Sequence, residues 1–125
     1  MKRTDAAFVR GFMDPLLNTV EYTMDALQLR LDTVANNIAN ANTPAYRSKV
    51  VDFESNLAAA LKAGKPNPDG APAVTGGDGL VDNTGNSVSL EDELTTMTKS
   101  SLERQVMVSG FNYKIDLLKS AAGTR

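Results

Sequence analysis

Apolar residues recur through residues 15–41 at Leu17, Val20, Met24, Leu27, Leu31, Val34, Ile38 and Ala41, in steps of 3, 4, 3, 4, 3, 4 and 3. Such an alternation describes a helix with one apolar stripe that must be buried against another helix. At about 1.5 Å per residue this helix is about 40 Å long. Asp14 is suited to cap it and Pro15 to occupy its first position, where a missing N–H costs nothing. Asn42, Thr43 and Pro44 end it, because proline cannot continue the hydrogen-bond ladder.

A second seam lies at the other end of the chain. Over residues 90–122 it reads Leu94, Met97, Ser101, Arg104, Val108, Phe111, Ile115, Leu118 and Ala122. Ser89 with Asp92 makes a capping-box-like start. Glu91, Asp92 and Glu93 fall in the first turn and Lys114 and Lys119 toward the end, both complementing the helix dipole. The acidic triplet is therefore read as a dipole complement and not as a metal site. Two polar seam positions, and Gly110 at about 1 kcal/mol relative to Ala, leave this helix less self-sufficient than the first.

Between the seams, Phe53, Leu57, Ala58 and Leu61 fall at helical spacing over residues 50–62, with Asp52 as cap and Gly64 as stop. Residues 66–86 hold three Pro and five Gly in 21 positions and no aromatic. Such a stretch is expected to remain a flexible loop, because it buries too little surface to offset its ordering entropy. Gly76, Gly77, Asp78 and Gly79 lack the pattern of a phosphate-binding loop. The chain accordingly divides into an N-terminal segment (1–14), the first long helix with its turn and the short helix (15–65), a loop (66–88) and the C-terminal helix (89–125).

The fold class that follows is all-α: two long terminal helices pairing as an antiparallel coiled coil, with a short middle helix and a flexible Gly/Pro-rich loop. Each long helix buries only a stripe, so each needs the other. A lone pair has nothing to cover its flanks, and the monomer is expected to be marginal outside an assembly. Tyr22 and Leu29 lie on the face opposite the first seam, and residues 33–46 contain no charged residue. These faces are read as contacts to neighbouring subunits.

Composition removes most chemistry. The 125 residues contain no Cys, His or Trp and carry a formal net charge of −2. Disulfides, thiolate nucleophiles, Ser-His-Asp triads and His-based metal sites are excluded. No basic field exists to hold nucleic acid. No catalytic, cofactor-binding or metal-ligating set is assigned, and neither a cofactor nor a small-molecule substrate is expected. Asp5, Arg10 and Asp14 interrupt any signal-peptide core, and Lys2, Arg3 and Arg10 are too scattered for a lipid-binding patch.

The most specific local feature is the cluster Asn36, Asn37, Asn40 and Asn42, four Asn in seven residues, running into Thr43, Pro44, Ala45 and Tyr46. Asn amides compete with the helical backbone. Two readings stand: a helix end passing into a turn, or amides that bond across to neighbouring chains.

Residues 35–46, Ala-Asn-Asn-Ile-Ala-Asn-Ala-Asn-Thr-Pro-Ala-Tyr, resemble the N-terminal signature of the bacterial flagellar basal-body rod, hook and related axial proteins. The usual Gly is Ala45 here, which leads to the expectation that the turn needs no left-handed residue. The short chain resembles a proximal rod subunit. So do residues 51–61, the Gly85-Asn86-Ser87-Val88-Ser89-Leu90 lead into the last helix, and the polar patch from Ser101 to Gln105 within it.

The resemblance implies a structural subunit of the flagellar rod, the drive shaft crossing the periplasm. It implies exit through the flagellar type III export apparatus without a cleaved signal peptide, and polymerisation by coupled folding. Partners implied are copies of the chain, other rod subunits, basal-body ring or adaptor proteins and the export apparatus. The seam residues of the first helix, Leu17 through Ile38, would pair with Leu94, Met97, Val108, Phe111, Ile115 and Leu118. Asn36, Asn37, Asn40, Asn42, Pro44 and Tyr46 would complete the assembly interface. The competing reading is a cytosolic coiled-coil adaptor, against which the uncharged 33–46 stretch argues.

Overall fold

The computed structural model describes residues 2–123, in the order α1 (Lys2–Ala39), β1 (Lys49–Asp52), α2 (Glu54–Lys62), β2 (Ala73–Gly76) and α3 (Leu90–Ala121). The chain is mostly helical, with two long helices packed on each other. It is not all-α, because β1 and β2 form an antiparallel two-stranded sheet pairing Val50 with Thr75 and Val51 with Val74. Among the described residues no helix is long and apolar enough to cross a membrane.

α1 begins well before the expected cap at Asp14 and runs through Pro15. Proline removes one hydrogen bond, to the carbonyl of Gly11, and the bonds on either side carry the helix across it. The Thr19 hydroxyl lies against two carbonyls there, that of Pro15 at 3.1 Å and that of Pro66. Pro15, Leu16, Leu61 and Pro66 line the same surface groove, so the start of the middle loop packs beside the break. At its other end α1 stops at Ala39, two residues early. The Asn40 N–H is shared between the carbonyls of Asn36 (3.2 Å) and Asn37 (3.1 Å), and Ala41 N–H reaches Ile38 (3.1 Å), so the last turn tightens and closes.

The expected helix over residues 50–62 opens instead with a strand. Val50 and Val51 are β-branched and sit comfortably on a pleated surface. Asp52 does not cap α2; Phe53 holds that position without a side-chain bond, because a phenyl ring has no oxygen to accept one, and the ring goes to the core instead. Gly64 does stop α2. At φ +80° it lets Lys65 N–H reach the Ala60 carbonyl (2.9 Å) and its own N–H reach Leu61 (3.1 Å), a Schellman closure. The 66–88 stretch contributes β2, whose pairing with β1 supplies the backbone partners that its composition withholds.

α3 starts where its cap is expected, with Ser89 Oγ accepting from Asp92 N–H at 3.3 Å. α1 and α3 run antiparallel. Asn37 near the end of α1 bonds Glu93 near the start of α3, and Met107 packs midway against a core of Tyr22, Ala26, Leu27, Val51 and Phe53. The Tyr22 and Phe53 rings meet edge to face, 6.4 Å between centroids. Leu29 and Leu57 close the cluster.

This core changes two expectations. Tyr22 and Leu29 are not a bare face: the β1–α2 layer of the same chain buries Tyr22 and packs with Leu29 around the core. The seam of α3 is also turned by about one residue from its start through Val108. Leu94 is 55% exposed and Val108 46%, whereas Ser100 is 1% exposed and Met107 joins the core. The third layer is the cause, since Met107 packs against a cluster that α1 shares with Val51 and Phe53, and that rotation swings Leu94 and Val108 outward.

Candidate functional site

The asparagine turn is held by a hub at Asn37, whose residue is fully buried. Its Nδ2 donates to the Lys49 carbonyl (2.8 Å) and to Glu93 Oε1 (3.0 Å). Its Oδ1 accepts from Lys49 N–H (3.0 Å) and from the Tyr46 hydroxyl (3.2 Å). An amide has two donors and two lone pairs, so every position is spent inside the chain. Bonding to both backbone groups of Lys49, Asn37 serves the outer edge of β1 as another strand would.

Arg30, two turns earlier, closes the rest of that edge. Its Nε and Nη2 donate to the Val51 carbonyl (3.1 and 2.6 Å), and its guanidinium pairs bidentately with Glu54 (2.7 and 2.8 Å). It also stacks 4.8 Å from the Phe53 ring centre. Hydrogen bonding from Arg30 holds the Glu54 carboxyl below its ordinary range. Burial pushes Glu93 the other way, upward, partly offset by the Asn37 amide.

A second asparagine mirrors the first. Asn86, buried, donates to the carbonyls of Asn40 (2.8 Å) and Thr43 (2.7 Å) and accepts from Val88 N–H (2.7 Å). Asp82 shapes this lead by accepting from the Thr84 hydroxyl (2.6 Å) and the N–H groups of Thr84 (2.8 Å) and Asn86 (3.0 Å). Those bonds, the Thr84 hydroxyl first, lower its pKa. Ser87 N–H reaches the Tyr46 carbonyl (3.0 Å), and Ser87 Oγ accepts from Ser48 N–H (2.8 Å). Residues 40–48 and 82–88 are thus laced together directly in front of α3.

Ala45 corrects a sequence expectation. Its φ is +62°, the left-handed conformation that a Gly would adopt freely. The turn needs that geometry so that Ala45 N–H can reach the Thr84 carbonyl (2.9 Å). Gly85 passes so close that a Cβ there would lie 3.2 Å from Ala45 Cα.

The expected interface residues fall into three groups. Leu27, Val34 and Asn37 are buried. Val20, Met24, Leu31, Ile38, Asn40, Tyr46, Met97, Phe111, Ile115 and Leu118 are half-buried, lying along or beside the helix pair. Leu17, Asn36, Asn42, Pro44, Leu94 and Val108 are exposed. Asn36 and Asn40 bond each other (3.2 Å), and Asn40 Oδ1 accepts from the Thr43 hydroxyl (3.1 Å). The sequence reading missed Arg30, Ser48, Val51 and Met107; it placed Phe53 only on the short helix and Ser87 only within a motif. Asn86 it noted only as part of a motif; a second Asn in an otherwise small-residue segment was the available signal.

The family model described as "Flagella basal body rod protein" matches residues 17–47, from the middle of α1 through the asparagine turn. The flagellar basal body rod protein FlgB of Bacillus subtilis (strain 168) is 27% identical over 116 residues, spanning 83% of this chain and 90% of that protein. FlgB of Proteus mirabilis is 34% identical over 61 residues, 46% of this chain and 44% of that protein.

Proposed function

Taking as premise that the chain belongs to the flagellar basal body rod protein family, we propose how this structural subunit of the proximal rod, which is not an enzyme, builds its polymer. The observation that carries the reading is a bare apolar stripe on α3. Leu102, Val106, Tyr113 and Leu117 are all exposed and recur in steps of 4, 7 and 4, on the side of the helix away from α1. An isolated soluble chain rarely leaves such a stripe uncovered. Neighbouring subunits cover it in the rod.

In this reading the half-buried seam of α1 and α3 works as an antiparallel coiled coil within the subunit. The exposed members Leu17, Asn36, Asn42, Pro44, Leu94 and Val108 contact neighbours. Among the described residues few large side chains are fully buried, so helix order is reinforced as each subunit adds, by coupled folding and binding. The partners are copies of the chain, other rod subunits, ring or adaptor proteins of the basal body and the export apparatus. The subunit leaves the cytoplasm by that apparatus, without a cleaved signal, to join the part of the rod that crosses the periplasm.

A clean deletion in the source organism tests the role. Loss of swimming with rod-less basal-body rings is expected. Normal rods in the deletion strain would refute it.

A further inference from the structure

The long axis of the subunit is electrically polar. From the Asn37–Glu93 bond to Met107 against the core cluster that holds Tyr22 and Leu27 the helices keep step, and the same step sets Lys114 and Lys119 beside about residues 16 and 11 of α1. At that end Arg10, Lys114 and Lys119 are exposed. Over residues 10–16 and 113–123 these three cations stand against two carboxylates, Asp14 and Asp116. The opposite end, residues 40–52 and 77–99, carries six negative and three positive side chains.

The acidic end also offers apolar purchase. An open cleft there is lined by Val50, Leu80, Asp78, Asp92 and Glu93 among others, and Leu80 is 95% exposed. Among the described residues the ion pairs are Arg30–Glu54 and Lys65–Asp69, and neither involves Asp78, Asp92 or Glu93. At the basic end Tyr113 is 66% exposed and Leu117 49%, beside Lys114.

We propose that the cleft at the acidic end of one copy receives the basic end of the next, Leu80 and Val50 meeting Tyr113 and Leu117 while Asp78 and Asp92 face Lys114 and Lys119. The choice of a second copy as occupant rests on the rod reading and on this charge complementarity. Two like ends repel, so the contact is head to tail. A head-to-tail contact need not close on itself and extends as an open chain. The charges set orientation and encounter rate, and the apolar residues hold the contact.

The test uses the full-length chain and two charge-reversal variants, Asp78→Lys/Asp92→Lys and Lys114→Glu/Lys119→Glu, each checked for unchanged helicity. Sedimentation at low salt should show wild-type mass growing past dimer with concentration, and 0.5 M NaCl should weaken association about tenfold or more. Each variant alone, with two like ends, should associate at least about tenfold more weakly. Mixing the two should restore growth, because each then meets its opposite. A wild type that stays monomeric or stops at dimer, or a mixture no better than its parts, overturns the contact. Introduced separately into a deletion strain, variants that restore full swimming overturn the contact while leaving the rod role intact. A deletion strain that swims with normal rods overturns the rod role instead.

Discussion

Replacing Asn37 is the most informative perturbation of the hub. Asn37→Ala removes four hydrogen bonds at once. Tyr46 and Glu93 are half-buried and Lys49 is exposed, so water can reclaim part of what is lost. The two bonds to Lys49 backbone cost about 1 kcal/mol each, and those to Tyr46 and Glu93 about 1 kcal/mol together after rehydration, for a total of about 3 kcal/mol. With a urea slope of about 1.3 kcal/mol per M, the midpoint should fall by about 2 M. Asn37→Asp sharpens the test, because it keeps the shape but turns a donor into a carboxylate facing Glu93. Two carboxylates at hydrogen-bond distance hold a shared proton, and the pair's pKa rises in the folded state. Stability from a raised folded pKa is present at low pH and is lost as pH climbs through that pKa. Asn37→Asp should therefore be more stable at pH 5 than at pH 7 by urea melts followed by circular dichroism. A loss below about 0.5 kcal/mol for Asn37→Ala, or an Asp variant no more stable at pH 5, would refute the hub.

Further outcomes follow from the same geometry. Ala45→Gly should relieve the left-handed strain of about 1 kcal/mol against a smaller entropy cost, raising the melting temperature by a few degrees; a lower melting temperature would contradict the turn. Arg30→Lys should not substitute for Arg30, because an ammonium cannot make the bidentate pair with Glu54 and also bond the Val51 carbonyl; hydrogen exchange in β1 should accelerate. The lowered Glu54 pKa places its contribution above the ordinary carboxylate range, to be lost as pH falls through the lowered value. With Glu54 half exposed (52%), solvent screening limits this to about 0.5–1 kcal/mol, and Glu54→Gln should flatten that part of the acid limb. Tyr22→Ala should cost about 3 kcal/mol in the isolated chain; a loss seen only in assembled rods would return Tyr22 to a contact between subunits.

What the sequence determined by itself was local. Ser89 capping α3, Gly64 closing α2 and Pro44 following the end of α1 act through their own backbone chemistry, and they hold wherever the chain folds. The two seams likewise required a pair of long helices, because a single apolar stripe must be covered. The asparagine turn was legible as a family signature, though composition could not say where its amides bond. An amide at Asn37 has the same four hydrogen-bonding positions whether its partners belong to the same chain or to the next.

Tertiary structure decided the rest. An apolar stripe on a helix spans a broad arc, so its spacing does not choose which of two adjacent positions goes deepest. The β1–α2 layer made that choice for α3 by completing the core cluster that Met107 packs against, which left Leu94 and Val108 outside and put Ser100 within. β2 was invisible because its stability lies in backbone pairing with β1, a contact that side-chain pattern does not encode. Pro15 read as a helix start because the lost hydrogen bond is local. The helix passed through it because the bonds and packing on both sides act together.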